Sequence, residues 1–143
     1  MKKLTVFLLL IGLMLGLVGC TKEPVSPVRF SEVMTSRGFQ VTEINRAQQV
    51  LTATNENYVV QFYLLEDIQA AKAAYEGEKN DRSSSGGFST STEFSGLNNS
   101  RYTYKSGDLF FMVAYVENTL LLCESSARFE DQIRSDFEAL GYQ

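Results

Sequence analysis

The chain has no histidine and no tryptophan, and its 143 residues include only two cysteines and two prolines. Without histidine there is no Ser-His-Asp or Cys-His catalysis, no histidine general base and no His-bearing zinc site. Two cysteines cannot assemble a four-cysteine zinc or iron–sulfur centre within one chain. No glycine-rich phosphate loop opens a helix, and no Asp-x-Asp-x-Asn calcium loop occurs. No metal and no cofactor are therefore expected. A basic stripe is also lacking: 13 Lys and Arg stand against 17 Asp and Glu, for a net charge of −4. That balance opposes binding to phosphate backbones, so nucleic acid is not an expected partner.

What is present begins at the N-terminus. Lys2 and Lys3 precede an almost purely apolar run from Leu4 to Val18. As a helix that run would span about 22 Å, short of the ~30 Å hydrocarbon core, and it has the layout of an export signal. It closes on Leu17-Val18-Gly19-Cys20, which resembles the lipobox of bacterial prolipoproteins. The resemblance implies a diacylglyceryl group on the Cys20 sulfur and removal of residues 1–19. It also implies a protein held by lipid at the extracytoplasmic face of the cell membrane. Two or more acyl chains hold a protein stably where one does not. The expected organisation is a signal peptide over 1–19, a lipidated cysteine and short tether over 20–25, and one domain over 26–143. Loss of Lys2 and Lys3 leaves 11 basic against 17 acidic side chains, near −6. With Cys20 committed to lipid by that resemblance, Cys123 lacks an intramolecular partner. It lies in Thr119-Leu120-Leu121-Leu122-Cys123 and is expected as a small buried hydrophobe with no disulfide.

The domain opens with a fully signalled helix. Ser26 is the N-cap, Pro27 the first helical residue, and Val25 can staple to Phe30. Phe30, Val33 and Met34 mark the buried face; Gly38 is the left-handed stop, with Phe39 packing back on Met34. Strands are expected over Gln40–Asn45, Gln49–Thr54 and Tyr58–Leu65, the last placed inside the sheet because both its faces are apolar. Glu66-Asp67 opens a second helix with Ile68, Ala71, Ala74 and Tyr75 inward, ending near Lys79. Asn80–Gly87 is expected as a flexible loop. Strands then follow over Phe88–Phe94, Arg101–Lys105, Leu109–Val116 and Thr119–Cys123. Phe129, Ile133, Phe137 and Leu140 line one face of a last helix after Ser125-Ser126.

The order α-β-β-β-α-β-β-β-β-α predicts an α+β domain, an antiparallel sheet of about five to seven strands with three helices packed on it. Hairpin-then-helix occurs across Gln49–Lys79 and again across Leu109–Leu140. This echo fits either shared helix-end chemistry or a degenerate duplication. The lipobox, Phe62-Tyr63-Leu64-Leu65-Glu66-Asp67, Glu117-Asn118-Thr119-Leu120 and the terminal Leu140-Gly141-Tyr142 together resemble small exported lipoproteins of Gram-positive Firmicutes. That resemblance implies the fold and the address; it brings no catalytic residue.

Candidate chemistry is sparse, and no catalytic residue is assigned. Glu130, Arg134 and Glu138 have the spacing of solvated ion pairs on a helix. Lys105-Ser106 reads as a turn ahead of Gly107-Asp108 rather than a Ser–Lys dyad. Asn98-Asn99-Ser100 has the form of a glycosylation triplet. The stretch from Arg82 to Asp108 interleaves Phe88, Phe94, Tyr102 and Tyr104 with small polar residues, the composition of an adaptable binding surface. The favoured expectation is a non-enzymatic, membrane-tethered binding or envelope-accessory domain recognising a protein or cell-wall component. The alternative is a small hydrolase using Asp/Glu or Ser–Lys chemistry.

Overall fold

A computed structural model of the chain describes residues 21–47, 49–84 and 88–143. The expected signal segment and the lipobox residues Leu17, Val18, Gly19 and Cys20 lie outside the described residues. Among those described, no helix is long and apolar enough to cross a membrane.

Among the described residues the fold is α+β: three helices and a seven-stranded antiparallel sheet, in the expected element order. The elements are α1 (Pro27–Ser36), β1 (Gln40–Asn45), β2 (Val50–Thr54), β3 (Val59–Leu64), α2 (Ile68–Ser83), β4 (Ser89–Ser95), β5 (Asn99–Ser106), β6 (Leu109–Val116), β7 (Thr119–Ser126) and α3 (Glu130–Ala139). A turn of 3-10 helix, Ala127–Phe129, leads into α3. Two meanders, β1-β2-β3 and β4-β5-β6-β7, meet where β3 pairs with β7, giving the order β1-β2-β3-β7-β6-β5-β4.

Side chains alternate between the two faces of each strand, so two cores form. On one face α1 and α3 pack Phe30, Met34, Ile133 and Phe137 onto Val60, Phe62, Phe110, Met112, Leu121 and Cys123. On the other, Ala71 and Tyr75 of α2 cover Tyr102, Tyr104, Phe111, Val113, Tyr115 and Leu120. The helices of the two hairpin–helix units thus lie on opposite faces of the sheet. β6 is sandwiched between both layers and is buried almost throughout. β3 is interior to the sheet as expected, but only Val60 and Phe62 are fully covered, because α2 does not extend over β1 and β2.

Local signals act where the sequence places them. Ser26 Oγ accepts from Arg29 N at 3.1 Å, and Phe39 N donates to Met34 O at 3.0 Å past Gly38, whose φ is +88°. Asp67 caps α2 by accepting from Ala70 N at 2.8 Å. Three expectations need correction. α2 runs a turn beyond Lys79, so Asn80–Ser83 is helix, while 85–87 lies outside the described residues. The extra turn is held by Arg82, which pairs with Glu124 at 2.5 Å and lies over the Phe111 ring. β5 starts at Asn99, shortening the expected turn, because Gly96 N donates to Asn99 O at 2.8 Å. β7 continues through Ser126, three residues past Cys123, along the full length of β6.

Candidate functional site

A buried polar cluster lies where the C-terminus of α1, the β2–β3 turn and α3 converge. Asn55 shapes that turn: its Oδ1 accepts from Asn57 N at 2.8 Å and from Tyr58 N at 2.9 Å. Tyr58 is thereby aimed inward, its ring edge-on to Phe39 at 5.5 Å and tilted against Phe129 at 5.8 Å. Its hydroxyl donates to Asp136 Oδ2 at 2.6 Å. Arg37, which caps α1, donates from Nε to Asp136 Oδ1 and from Nη2 to Ser135 Oγ at 2.8 Å. Asp136 is only 2% exposed. A carboxylate so buried is tolerated because it is paired and hydrogen-bonded.

Above this triad opens a cleft of about 660 Å³, with Asn57, Asp131, Gln132 and Ser135 on its walls. Burial, then the hydrogen bond to the Asp136 carboxylate, pushes the Tyr58 hydroxyl well above the ordinary tyrosine value, so it stays a neutral donor. Both Asp136 oxygens are engaged, one by Arg37 and one by Tyr58, so the carboxylate organises the elements around it. The cleft offers amides, a hydroxyl and the Asp131 carboxylate at its rim, a surface suited to hydrogen-bonded recognition.

A second constellation forms at the other end of the sheet. The side chain of Asn98 clamps the backbone of Lys22, accepting from its N–H at 3.2 Å and donating to its C=O at 2.8 Å. The remaining amide hydrogen of Asn98 goes to Glu117 Oε1 at 2.6 Å, and its oxygen also accepts from Asn99 Nδ2 at 3.1 Å. The whole hydrogen-bonding capacity of one buried asparagine is used. Lys22 Nζ donates to Gln143 O at 2.6 Å, and Val25 is buried in the α1/α3 core. The segment expected as a tether is therefore fastened to the domain from Lys22 onward. Gly96 permits the tight turn beside it, since a Cβ there would meet Asn99 Nδ2 at 2.8 Å.

These two places are separated by the length of the strands. Leu64 pairs with Thr119, next to the β6–β7 turn that carries Glu117, whereas Val59 pairs with Glu124, next to Tyr58. The six residues of β3 between them span about 20 Å. The cleft and the Lys22 clamp thus occupy opposite ends of the molecule.

The four aromatics expected to share one surface are dispersed. Tyr102 and Tyr104 face α2 and are buried with Tyr75 and Phe111. Phe94 pairs across to Arg101 on the opposite face of β4 and β5 and is half exposed, while Phe88 stands fully exposed ahead of β4. The parity of the alternation splits them, because α2 claims the face that carries Tyr102 and Tyr104. The other expected pairs fall as follows. Arg134 donates to Glu130 Oε1 at 2.9 Å, and Glu130 also takes Lys105 at 3.0 Å, tying α3 to β5. Ser106 Oγ donates instead to Phe88 O at 3.4 Å, so Lys105 and Ser106 make no dyad. Glu66 lines a second groove, of about 630 Å³, with Tyr63 and Leu65 at the Lys22 end. Cys123 is a free, buried thiol, pushed up to about 12 by burial with Asp136 and Glu124 nearby. Among the described residues, no cluster of acidic or cysteine side chains is arranged to hold a metal.

No family model matches the chain, and no curated protein matches it. Its fold is similar to the crystal structure of a GTP binding regulator from Thermotoga maritima, with 13% identity and a TM-score of 0.50 over 80% of this chain and 87% of that one. At that identity the likeness is one of fold.

Proposed function

We propose that the protein is a lipid-anchored, extracytoplasmic binding domain of the kind found among small Gram-positive lipoproteins, held by Cys20 and recognising a protein or wall component through the Tyr58–Asp136 cleft. The observation that carries this reading is the placement of the cleft at the end of the sheet opposite Lys22. A chain anchored two residues before Lys22 would present the cleft away from the bilayer, toward whatever lies beyond it. Binding rather than hydrolysis is favoured because Asp136 has both oxygens committed and Lys105 is paired with Glu130.

The test has two arms. Cys20→Ala should abolish incorporation of labelled fatty acid and release the protein from membranes; unchanged labelling would remove Cys20 as the acylation site. A photo-crosslinking side chain at Asn57 or Gln132 should give a discrete adduct in intact cells, with none from Glu66 at the anchor end. Turnover of a wall substrate by the purified protein, lost in Asp136→Asn and accompanied by no cleft adduct, would replace binding with hydrolysis.

A further inference from the structure

Two large apolar side chains remain exposed beside the Lys22 clamp. Leu97, at the tip of the β4–β5 turn, is 76% exposed, and Phe94, three residues earlier, is 50% exposed. Turn tips ordinarily carry polar residues, and a single exposed leucine would mean little. Here the pair is joined by location. Lys22 Nζ lies 6.0 Å from the Phe94 ring centroid, and Arg101 is the residue opposite Phe94 in the β4–β5 pairing. Asn98, the residue after Leu97, grips the Lys22 backbone from both sides. The chain from Lys22 back to Cys20 covers two residues, a reach of about 7 Å when extended.

We infer that the β4–β5 tip is a bilayer-contact face, with Leu97 and Phe94 entering the headgroup–acyl boundary and Lys22 and Arg101 at headgroup level. The inference rests on the lipid anchor at Cys20, because a lipid attached within that reach must enter the membrane next to this hairpin. Glu23 and Glu117 stand at the same end, so the local charge is nearly balanced and the apolar pair supplies the contact. Such a surface binds only weakly by itself and strengthens an anchor already in place. Its effect is orientation: the domain is seated by one end instead of swinging on a linker, and the cleft is fixed outward.

The absence of tryptophan makes the test direct, since one introduced indole reports alone. Leu97→Trp and Asn57→Trp would each be made in the full chain, lipidated in cells and reconstituted into phosphatidylglycerol–phosphatidylethanolamine vesicles with brominated acyl chains. The expected result is quenching of the Leu97→Trp emission by about twofold or more, as for a side chain at the acyl boundary, and none for Asn57→Trp. Phe94→Trp should follow Leu97→Trp. Vesicle-bound protein in which Leu97→Trp is unquenched, or in which both ends are quenched alike, overturns the contact face and leaves the anchor standing. Protein that carries no fatty-acid label and stays in the supernatant overturns the anchor reading, and the contact face with it.

Discussion

Tyr58 and Asp136, 78 residues apart in the chain, share a hydrogen bond of 2.6 Å at the floor of the cleft, where the carboxylate is almost wholly buried. With Arg37 on the other oxygen, this contact fastens the β2–β3 turn, α1 and α3 to one another. The energetic weight lies in the penalty for leaving the carboxylate short of a partner, not in the attraction of the pair.

Removing the donors one at a time should expose that penalty. Tyr58→Phe keeps the ring packing and is expected to cost about 1–2 kcal/mol. Arg37→Ala leaves a buried charge with one donor; because the guanidinium is partly in solvent, the expected cost is reduced to about 1–3 kcal/mol. Urea unfolding of both single variants and the double variant measures this. The double variant should differ from the sum of the singles, since both donors serve one carboxylate. Strict additivity would mean that the three groups do not act as a unit.

Acid sensitivity should trace to two surface-linked carboxylates. Hydrogen bonds from Lys105 and Arg134 hold Glu130 below its ordinary value of 4.5. Burial raises Glu93, but the hydrogen bonds from Lys79 and Tyr75 outweigh it and leave Glu93 lowered as well. In both cases the unfolded chain binds protons first as the pH falls. Their contribution is therefore present above pH 4.5 and is lost as the pH drops through the folded values. Glu130→Gln and Glu93→Gln should each be less stable than the parent at about pH 7 and show a flatter loss of stability below about pH 4.5. Parallel curves would assign acid unfolding to other groups.

Cys123 should be chemically silent in the folded protein. Its thiol stands at about 12 against an ordinary 9.0, chiefly through burial, and its side chain packs in the α1/α3 core. A raised thiol contributes stability below pH 9 that fades as the pH rises toward 12. In a Cys20→Ala chain, which has no other thiol, alkylation at about pH 8 should proceed only through unfolding, as read by mass spectrometry with and without urea. Rapid modification in buffer alone would show that the core opens locally at β7.

Much of this fold is written in short-range signals. Ser26-Pro27, Gly38-Phe39, Asp67 and Gly141-Tyr142 announce helix ends through their own backbone chemistry, and each does so within a few residues. Leu109–Val116 is a strand because both faces of it are apolar, and both are covered. The face taken by each helix is not local information, and that choice decided that Tyr102 and Tyr104 would be core. The length of α2 likewise depended on Arg82 finding Glu124 and Phe111 across the sheet. The cleft was illegible for the same reason. Arg37, Tyr58 and Asp136 lie on three separate elements and resemble ordinary surface residues until the chain closes. Asn98 stood out in the sequence only as part of a triplet of glycosylation form, which would carry little meaning in a bacterial lipoprotein and says nothing of its grip on Lys22.

That asparagine gives the last prediction, because its loss should free the segment that leads to the anchor. Asn98→Ala removes both hydrogen bonds to the Lys22 backbone and leaves Glu117 and Asn99 without their shared partner. A net loss of about 1.4 kcal/mol, within the range for two hydrogen bonds, would raise the undocked population about tenfold. Proteolysis that samples this undocked form tracks its population when reclosing is fast. Trypsin should therefore cut after Lys22 about tenfold faster in Asn98→Ala, while cleavage within the sheet is unchanged. Cys123 should remain unreactive, which separates release of the segment from general unfolding. Equal cleavage in variant and parent would mean that Val25 in the core and the Lys22–Gln143 contact hold the segment without the clamp.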